Sequence, residues 1–286
     1  MGHRQSSTAS IGEKASRWLF GALKPLRRRF AGRGENSKKT VLLILGCQRS
    51  GTTLVQNILQ RDIRSKVYGE FSRLSAQDRE HRIRLNPLDS VRKTIQADRA
   101  GIIALKPLVE SQNALKLLDA LENAKVLWMY RDYRDSAVSS INQFGRDAGI
   151  NDLTGIIENR HGDWRTEGLG SELRGIVKAN FSPDMDPHDA AALFWFVRNS
   201  WFFELKLDTK ARVMLCGYED LVATPARTVK KLYDFIGHKF PGEQILPPIH
   251  QESVGQGRHL KLSEDIERLC SSMLARLDRQ GPPLKA

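Results

Sequence analysis

The chain has 286 residues, of which 40% are hydrophobic, and its formal net charge is +12. This length is sufficient for a large soluble α/β domain with its own core. No run of about 18 apolar residues occurs, so a membrane-spanning helix is not predicted. The first 30 residues lack an apolar signal-peptide core, and we expect a cytoplasmic protein. The three cysteines are far apart and form no Cys-x-x-Cys pair, which argues against a zinc site or a disulfide framework and favours small buried side chains.

The basic charge is concentrated in residues 1–39, which contain ten Lys/Arg and two Glu and carry +8 of the +12. A nucleic-acid-binding face on the folded body is therefore not predicted. Aromatic and aliphatic side chains alternate with these basic residues, and a helix over 14–23, interrupted by Pro25, would have one apolar and one basic face. This pattern predicts peripheral contact of residues 14–33 with an anionic membrane surface, on its inner face. A solubilising tail or a helix packed on the body fits the same composition.

Beyond this tail, short apolar runs alternate with helical patterns. Repeated strand–helix units predict a single three-layer α/β domain over 40–286, with a mostly parallel sheet flanked by helices. Residues 146–186 are rich in Gly, Asp and Asn and predict a loop-rich insertion. Residues 188–207 carry apolar residues at helical spacing, which favours a core helix over an aromatic binding surface. Strands are predicted over 40–45, 66–68, 101–105, 125–130 and 212–216, and further helices over 52–60, 112–121, 135–144 and 225–236.

The most informative segment is the loop 46–53, with the sequence GCQRSGTT, between the first strand and the first helix. A helix N-terminus presents unpaired N–H groups and a partial positive charge, so it is suited to bind an anion. Gly46 and Gly51 allow the backbone to bend tightly around that anion. The spacing of these glycines is that of a Walker A loop, which predicts a phosphate-binding site.

Thr52, however, occupies the position where a Walker A loop has lysine. That lysine neutralises the β- and γ-phosphates of a nucleoside triphosphate. A loop without it suits a single 5′-phosphate that carries one further group. Arg49 supplies a cation within the loop, and hydroxyl donors come from Ser50, Thr52 and Thr53.

A second anion-binding pattern, YRDYRDSAVS over 130–139, begins where the fourth strand ends. Arg131 can bind two oxygens of a terminal phosphate with its fork of donors, and Ser139, eight residues later on the next helix, can donate to a third. Asp132 or Asp135 can cap that helix and restrain the arginines. A surface salt-bridge cluster at a helix start is the alternative interpretation.

These two motifs, followed by YEDLVATP over 218–225, resemble the PAPS-dependent sulfotransferases, PAPS being 3′-phosphoadenosine 5′-phosphosulfate. The resemblance covers about residues 40–260 and implies a P-loop NTPase-like sulfotransferase fold with PAPS as co-substrate and no metal. It implies that the loop binds the 5′-phosphosulfate, that Arg131 and Ser139 bind the 3′-phosphate, and that Tyr218 lies near the adenosine. Arg258, in GQGR, is nearest to the family's late basic–glycine element, and Tyr133 stands where many members have Pro.

The same resemblance suggests the catalytic residues. Glu70, in YGEF, is similarly placed to the glutamate base of tyrosylprotein-type and several bacterial members, and His81 is the reserve base. Lys106, at the end of the third strand, is placed to neutralise charge that develops on the bridging oxygen, and Arg49 can share this role.

The acceptor stays open among glycan, lipid or small-molecule hydroxyls and protein tyrosine, and Glu70 with the polar insertion favours a carbohydrate or another polar acceptor. A P-loop kinase or NTPase is one alternative, and the missing lysine at position 52 disfavours it. A non-catalytic scaffold that uses the fold to bind a membrane or a protein is another, and the basic tail motivates it.

Overall fold

The computed structural model describes residues 39–76, 83–249 and 251–280. Within them lies a five-stranded sheet with the spatial order β2-β3-β1-β4-β5, in which every neighbouring pair is parallel. The predicted α/β fold with a mostly parallel sheet is therefore confirmed, and each predicted strand is present to within one residue at either end. The strands are β1 (Thr40–Gly46), β2 (Ser65–Tyr68), β3 (Ile102–Leu105), β4 (Ala124–Tyr130) and β5 (Val213–Gly217).

Helices connect the strands, and a 3-10 turn (Leu108–Asn113) precedes the third of them. In the described part of the chain they are α1 (Thr52–Arg61), α2 (Leu88–Ala97), α3 (Ala114–Ala120), α4 (Tyr133–Phe144), α5 (Ala148–Ile157), α6 (Ser171–Asn180), α7 (Pro187–Glu204), α8 (Tyr218–Ala223), α9 (Pro225–Ile236) and α10 (Glu264–Gln280).

The sheet is covered on both faces, because alternate residues of a strand point to opposite sides. Val41, Leu43 and Leu45 pack in one hydrophobic cluster together with α7. Leu42 and Ile44 pack in the other, with α1 and α9. The helix α7 is buried around most of its circumference, so the prediction of a core helix in this region is confirmed.

The segment 146–186, predicted to be rich in loops, instead contains the helices α5 and α6. The glycines of this segment led to the wrong prediction of loops. A Cβ on Gly149 would lie 2.7 Å from the backbone nitrogen of Ala191, so this glycine permits close packing of α5 on α7. Gly155 likewise lies inside α5, and loop structure is confined to the parts of the segment outside the two helices.

The three cysteines are buried and unpaired, as predicted. Within the described ranges, no helix combines the length and the apolar character needed to cross a bilayer. The predictions for residues 14–33 and for His81 concern residues outside those ranges.

Candidate active site

The predicted site residues gather at one edge of the sheet. Parallel strands end at the same edge, and in open α/β sheets this is where ligands bind. The loop 46–53 follows the central strand β1, whose neighbours are β3 and β4. Lys106 follows β3, Arg131 follows β4, and Tyr218 follows the adjacent strand β5.

The loop 46–53 has a backbone that only glycine tolerates at two positions. Gly46 has φ +124°, and a Cβ there would lie 2.1 Å from the carbonyl oxygen of Met129. Gly51 has φ +84°, and its Cβ would lie 2.3 Å from the ring of Tyr218. Arg49 also adopts a left-handed conformation, with φ 66°, which is costly for a residue with a side chain. The loop is therefore held in a strained shape by its surroundings.

This loop leaves polar donors without protein partners. The helix α1 begins after Gly51 and has no side-chain cap, and the first N–H to find a backbone acceptor is that of Leu54, so the N–H groups of Thr52 and Thr53 remain open to a ligand. The Oγ of Ser50 is buried and has no hydrogen-bond partner among the described residues. An unpaired buried hydroxyl is costly, and an anion bound in the loop would satisfy it.

Ser111 is hydrogen-bonded to Gly46, the first residue of the loop. Its Oγ accepts a hydrogen bond from the N–H of Gly46 at 3.1 Å and lies 3.2 Å from the carbonyl oxygen of the same residue. The side chain is fully buried. Sequence reasoning did not identify Ser111, because it lies 65 positions from Gly46 in the chain and belongs to no motif.

The two anion-binding motifs meet in the structure. The Nε of Arg49 donates to the Oγ of Ser139 at 3.0 Å, and the Nη1 of Arg131 donates to the carbonyl oxygen of Arg49 at 3.4 Å. Burial lowers the pKa of Arg49, and the positive charge of Arg131 lowers it further. The buried cation of Arg131 and the partly buried cation of Arg49 repel each other, and an anion bound between them would relieve that repulsion.

Tyr218 and Ser253 complete the surroundings of Arg131. The guanidinium of Arg131 lies 4.7 Å from the centre of the Tyr218 ring, and the hydroxyl of Tyr218 lies 2.6 Å from the Oγ of Ser253. Arg131 also donates from Nη2 to the carbonyl oxygen of Ser253. Its buried Nε has no partner among the described residues. This guanidinium is thus oriented by the protein and keeps one donor for a ligand.

Glu70 and Lys106 form the second part of the site. The Nζ of Lys106 lies 3.2 Å from the Oε2 of Glu70 and donates to the Oγ1 of Thr53 at 3.1 Å. The Lys106 side chain is 8% exposed and that of Glu70 is 26% exposed. Lys106 therefore joins the carboxylate to the phosphate loop, while the carboxylate remains accessible from solvent.

The structure also places two other predicted residues, Asp132 of the second motif and Arg258 of the late part of the chain. Asp132 caps α4, since its side chain accepts from the N–H groups of Arg134 and Asp135. Arg258, by contrast, is exposed and its Nε contacts the Nε2 of the neighbouring His259 at 3.0 Å. Its contact with the nucleotide stays a prediction. The late segment also reaches the site through Ser253 and through backbone groups.

The comparisons with known proteins agree with this geometry. The family model of the sulfotransferase domain matches residues 39–267. The sulfotransferase domain from the curacin biosynthetic pathway superposes with a TM-score of 0.52 at 14% identity, over 84% of this chain and 99% of that domain. The sulfotransferase domain of the Synechococcus PCC 7002 olefin synthase has a TM-score of 0.50 at 13% identity, over 85% and 97%. No curated protein sequence matches the chain. Because the family match spans most of its length, the chain belongs to the sulfotransferase domain family.

Proposed function

We propose that this protein transfers a sulfuryl group from PAPS to a hydroxyl-bearing acceptor. Membership of the family supports the reaction type. The observation that carries the choice of donor is the contact between the two anion-binding motifs, in which the Nε of Arg49 lies 3.0 Å from the Oγ of Ser139. Two cationic motifs in contact suit one nucleotide that is phosphorylated at both its 5′ and its 3′ position.

The donors at the two ends fit this nucleotide. At the 5′ end, the N–H groups and hydroxyls of Thr52 and Thr53 and the unpartnered hydroxyl of Ser50 would hold the phosphosulfate. At the 3′ end, Arg131 and Ser139 would hold the phosphate, and the ring of Tyr218 offers a flat surface for the adenosine. PAPS supplies an activated sulfuryl group when bound.

Glu70 is the proposed general base, because its carboxylate is accessible beside the loop and can take the proton of the acceptor hydroxyl. The Nζ of Lys106, which lies 3.2 Å from the Oε2 of Glu70, holds that carboxylate in place. Lys106 and Arg49 also keep positive charge where negative charge develops during the transfer. Positioning and charge neutralisation by these side chains need no metal. Within the described residues, no group of three or more His, Cys, Asp or Glu could hold one.

We propose a polar acceptor such as a carbohydrate. The support is the polar composition of residues 146–186 and the accessible carboxylate of Glu70, which can accept a hydrogen bond from a sugar hydroxyl. A panel of glycans, small alcohols and tyrosine peptides, each offered with labelled PAPS, tests this choice. Sulfation of tyrosine peptides alone would contradict it.

The reaction itself is tested by transfer of labelled sulfate from PAPS in the wild type and in Arg49→Ala and Arg131→Ala. Both variants are expected to lose most of the transfer, because each lacks a cation of the site. Arg268→Ala is the matched control, since this arginine is 71% exposed and pairs with Asp265 on the surface of α10. Full transfer in both site variants would contradict the assignment. ATP binding tighter than adenosine 3′,5′-bisphosphate binding would favour a P-loop kinase.

We also propose, from the sequence alone, that residues 14–33 bind an anionic membrane surface from the cytoplasmic side. The concentration of arginine among apolar residues there supports this. The test is co-sedimentation of the full chain with vesicles of phosphatidylserine or of phosphatidylcholine. Binding only to the phosphatidylserine vesicles, weakened by salt and by replacing Arg27, Arg28 and Arg29 with Gln, is expected. Equal behaviour with both vesicle types would contradict it.

A further inference from the structure

Asp135 is a buried carboxylate on the first turn of α4, only 2% exposed. Its Oδ1 accepts from the N–H of Gly257 at 2.7 Å. Its Oδ2 accepts from the N–H of Gly255 at 2.7 Å and lies 3.4 Å from the Nη2 of Arg131. Both oxygens are therefore bound to a segment about 120 positions away in the chain, and Oδ2 also contacts Arg131 of the second motif.

That segment, residues 251–257, is here called the strap. It reaches the site at Ser253, whose carbonyl oxygen accepts from Arg131 and whose Oγ contacts the hydroxyl of Tyr218. At its end, a Cβ on Gly257 would lie 2.4 Å from the carbonyl carbon of Arg134. The strap is thus packed directly against the start of α4, and Asp135 fastens it there through two backbone N–H groups.

An acid in the first turn of a helix ordinarily serves the helix itself, by capping it or by interacting with its dipole. Here Asp132 already caps α4 with its side chain. The oxygens of Asp135 are instead used by the strap at short distances and by Arg131 at a longer one. The Asp135 carboxylate therefore serves groups that border the proposed ligand site, and not the helix α4 itself.

We propose that Asp135 is a positioning residue for the 3′-phosphate of the nucleotide, an inference that rests on the proposed function. It fixes the strap and the guanidinium of Arg131 relative to each other. The Nε of Arg131, which has no partner among the described residues, then stays free for the phosphate. Asp135 makes no contact with the ligand itself and acts through Arg131.

Replacement of Asp135 by Asn tests this proposal. The amide oxygen of Asn can accept from one strap N–H, but its NH₂ group then faces a second donor. The strap and the guanidinium of Arg131 should then no longer be held in a fixed position relative to each other. We expect the affinity for adenosine 3′,5′-bisphosphate to fall by about tenfold or more, the effect of weakening one charge-assisted hydrogen bond. The affinity for adenosine 5′-monophosphate, which lacks the 3′-phosphate, should be unchanged.

Calorimetric titration of both nucleotides gives the ratio of the two affinities, which a purely structural role would leave constant. The matched control is Asp189→Asn, because Asp189 also accepts a backbone N–H from the late part of the chain, that of Ser263 at 3.0 Å. This control should keep the wild-type ratio. In an Arg131→Lys background, Asp135→Asn should change the ratio much less, since it acts through the guanidinium.

Should Asp135→Asn not fold, Asp135→Glu keeps the charge but places it one methylene further out, and the same drop in the ratio is expected. An unchanged ratio in a folded Asp135 variant, with a wild type that prefers the bisphosphate, would overturn this inference and leave the proposed function standing. A wild type that shows no preference for the bisphosphate would overturn both.

Discussion

The two ends of the proposed nucleotide site, the loop 46–53 at its 5′ end and the surroundings of Arg131 at its 3′ end, are built in different ways. The 5′ end is one contiguous loop, and its shape follows from glycines at positions 46 and 51 whose missing side chains leave room for Met129 and Tyr218. The 3′ end is assembled from three separate segments, which contribute Arg131, Tyr218 and Ser253. Close packing at the two glycines, supported by Ser111, fixes the first end, and hydrogen bonds between separate segments fix the second. Perturbations of the two ends should therefore have different signatures.

The largest expected effect is at Glu70, beside the loop 46–53, where chemistry and binding can be separated. Glu70→Gln removes the proposed base but keeps the size of the side chain. We expect kcat to fall by about 10²–10⁴-fold, the usual contribution of a general base. Binding of adenosine 3′,5′-bisphosphate should not change.

Steady-state transfer assays and calorimetry on the same preparation measure both quantities. Glu172→Gln, an exposed position in the first turn of α6, is the control. Full kcat in Glu70→Gln would show that another residue is the general base, and His81 would be tested next.

The next largest effect is expected from a substitution that removes the cation of the 3′ end. Arg131→Ala removes a guanidinium that is 4% exposed and would bind the 3′-phosphate through charge-assisted hydrogen bonds, each worth about 1.5–3 kcal/mol. The affinity for adenosine 3′,5′-bisphosphate should fall by about a hundredfold. Binding of adenosine 5′-monophosphate should persist, because the loop 46–53 is intact. An equal loss for both nucleotides would show that the two ends are not separable.

A smaller effect is expected where the two ends touch. Gly51→Ala places a Cβ against the Tyr218 ring and adds the strain of a left-handed residue, about 1–2 kcal/mol. Both nucleotides should bind about tenfold more weakly, since the loop and the ring shift together.

Gly237→Ala is a matched control for that variant, because Gly237 has φ +77° and ψ 29°, in the same left-handed region as Gly51, with nothing within 4 Å of its Cβ position. It should lose a similar amount of stability in urea unfolding and keep its nucleotide affinity. Loss of affinity in the control would mean that strain alone, without the ring contact, accounts for the Gly51 result.

The smallest effect concerns stability away from the site, at the other end of α1. Burial would raise the pKa of Asp62, but hydrogen bonds from Arg64 and Tyr233 outweigh it and lower that pKa. The stabilisation is therefore complete above the unfolded-state pKa of about 3.9 and is lost as the pH falls through the lower folded-state value. Urea unfolding from pH 6 to pH 3 should show a weaker pH dependence in Asp62→Asn, with nucleotide affinity at neutral pH unchanged. Identical pH profiles would contradict this.

The contrast between the two ends also explains what could be predicted from sequence. The strands and the loop 46–53 are local patterns, so apolar runs and glycine spacing were sufficient. The fastening of the strap by Asp135 was not predictable, because it joins a side chain to backbone N–H groups of glycines about 120 positions away. The sequence motif singled out the basic Arg258, which follows the strap, and gave no sign of the contacts made by Gly255 and Gly257.

The helices show a similar limit. The helix α10 buries Ile266, Cys270, Met273 and Leu277, a spacing of three and four that is typical of an amphipathic helix. This spacing is present in the sequence, but charged residues lie between the apolar ones, and the helix was not predicted. The helix α5 was not predicted because it contains glycines, and the reason for Gly149, close packing on α7, becomes visible only in the structure.

The most direct test of the central claim is a crystal structure with adenosine 3′,5′-bisphosphate bound. The expected result is one nucleotide whose 5′-phosphate lies against the loop 46–53 and whose 3′-phosphate contacts Arg131 and Ser139. A nucleotide that occupies only one of these places, or that binds elsewhere on the sheet, would contradict the claim that the two motifs hold opposite ends of a single molecule.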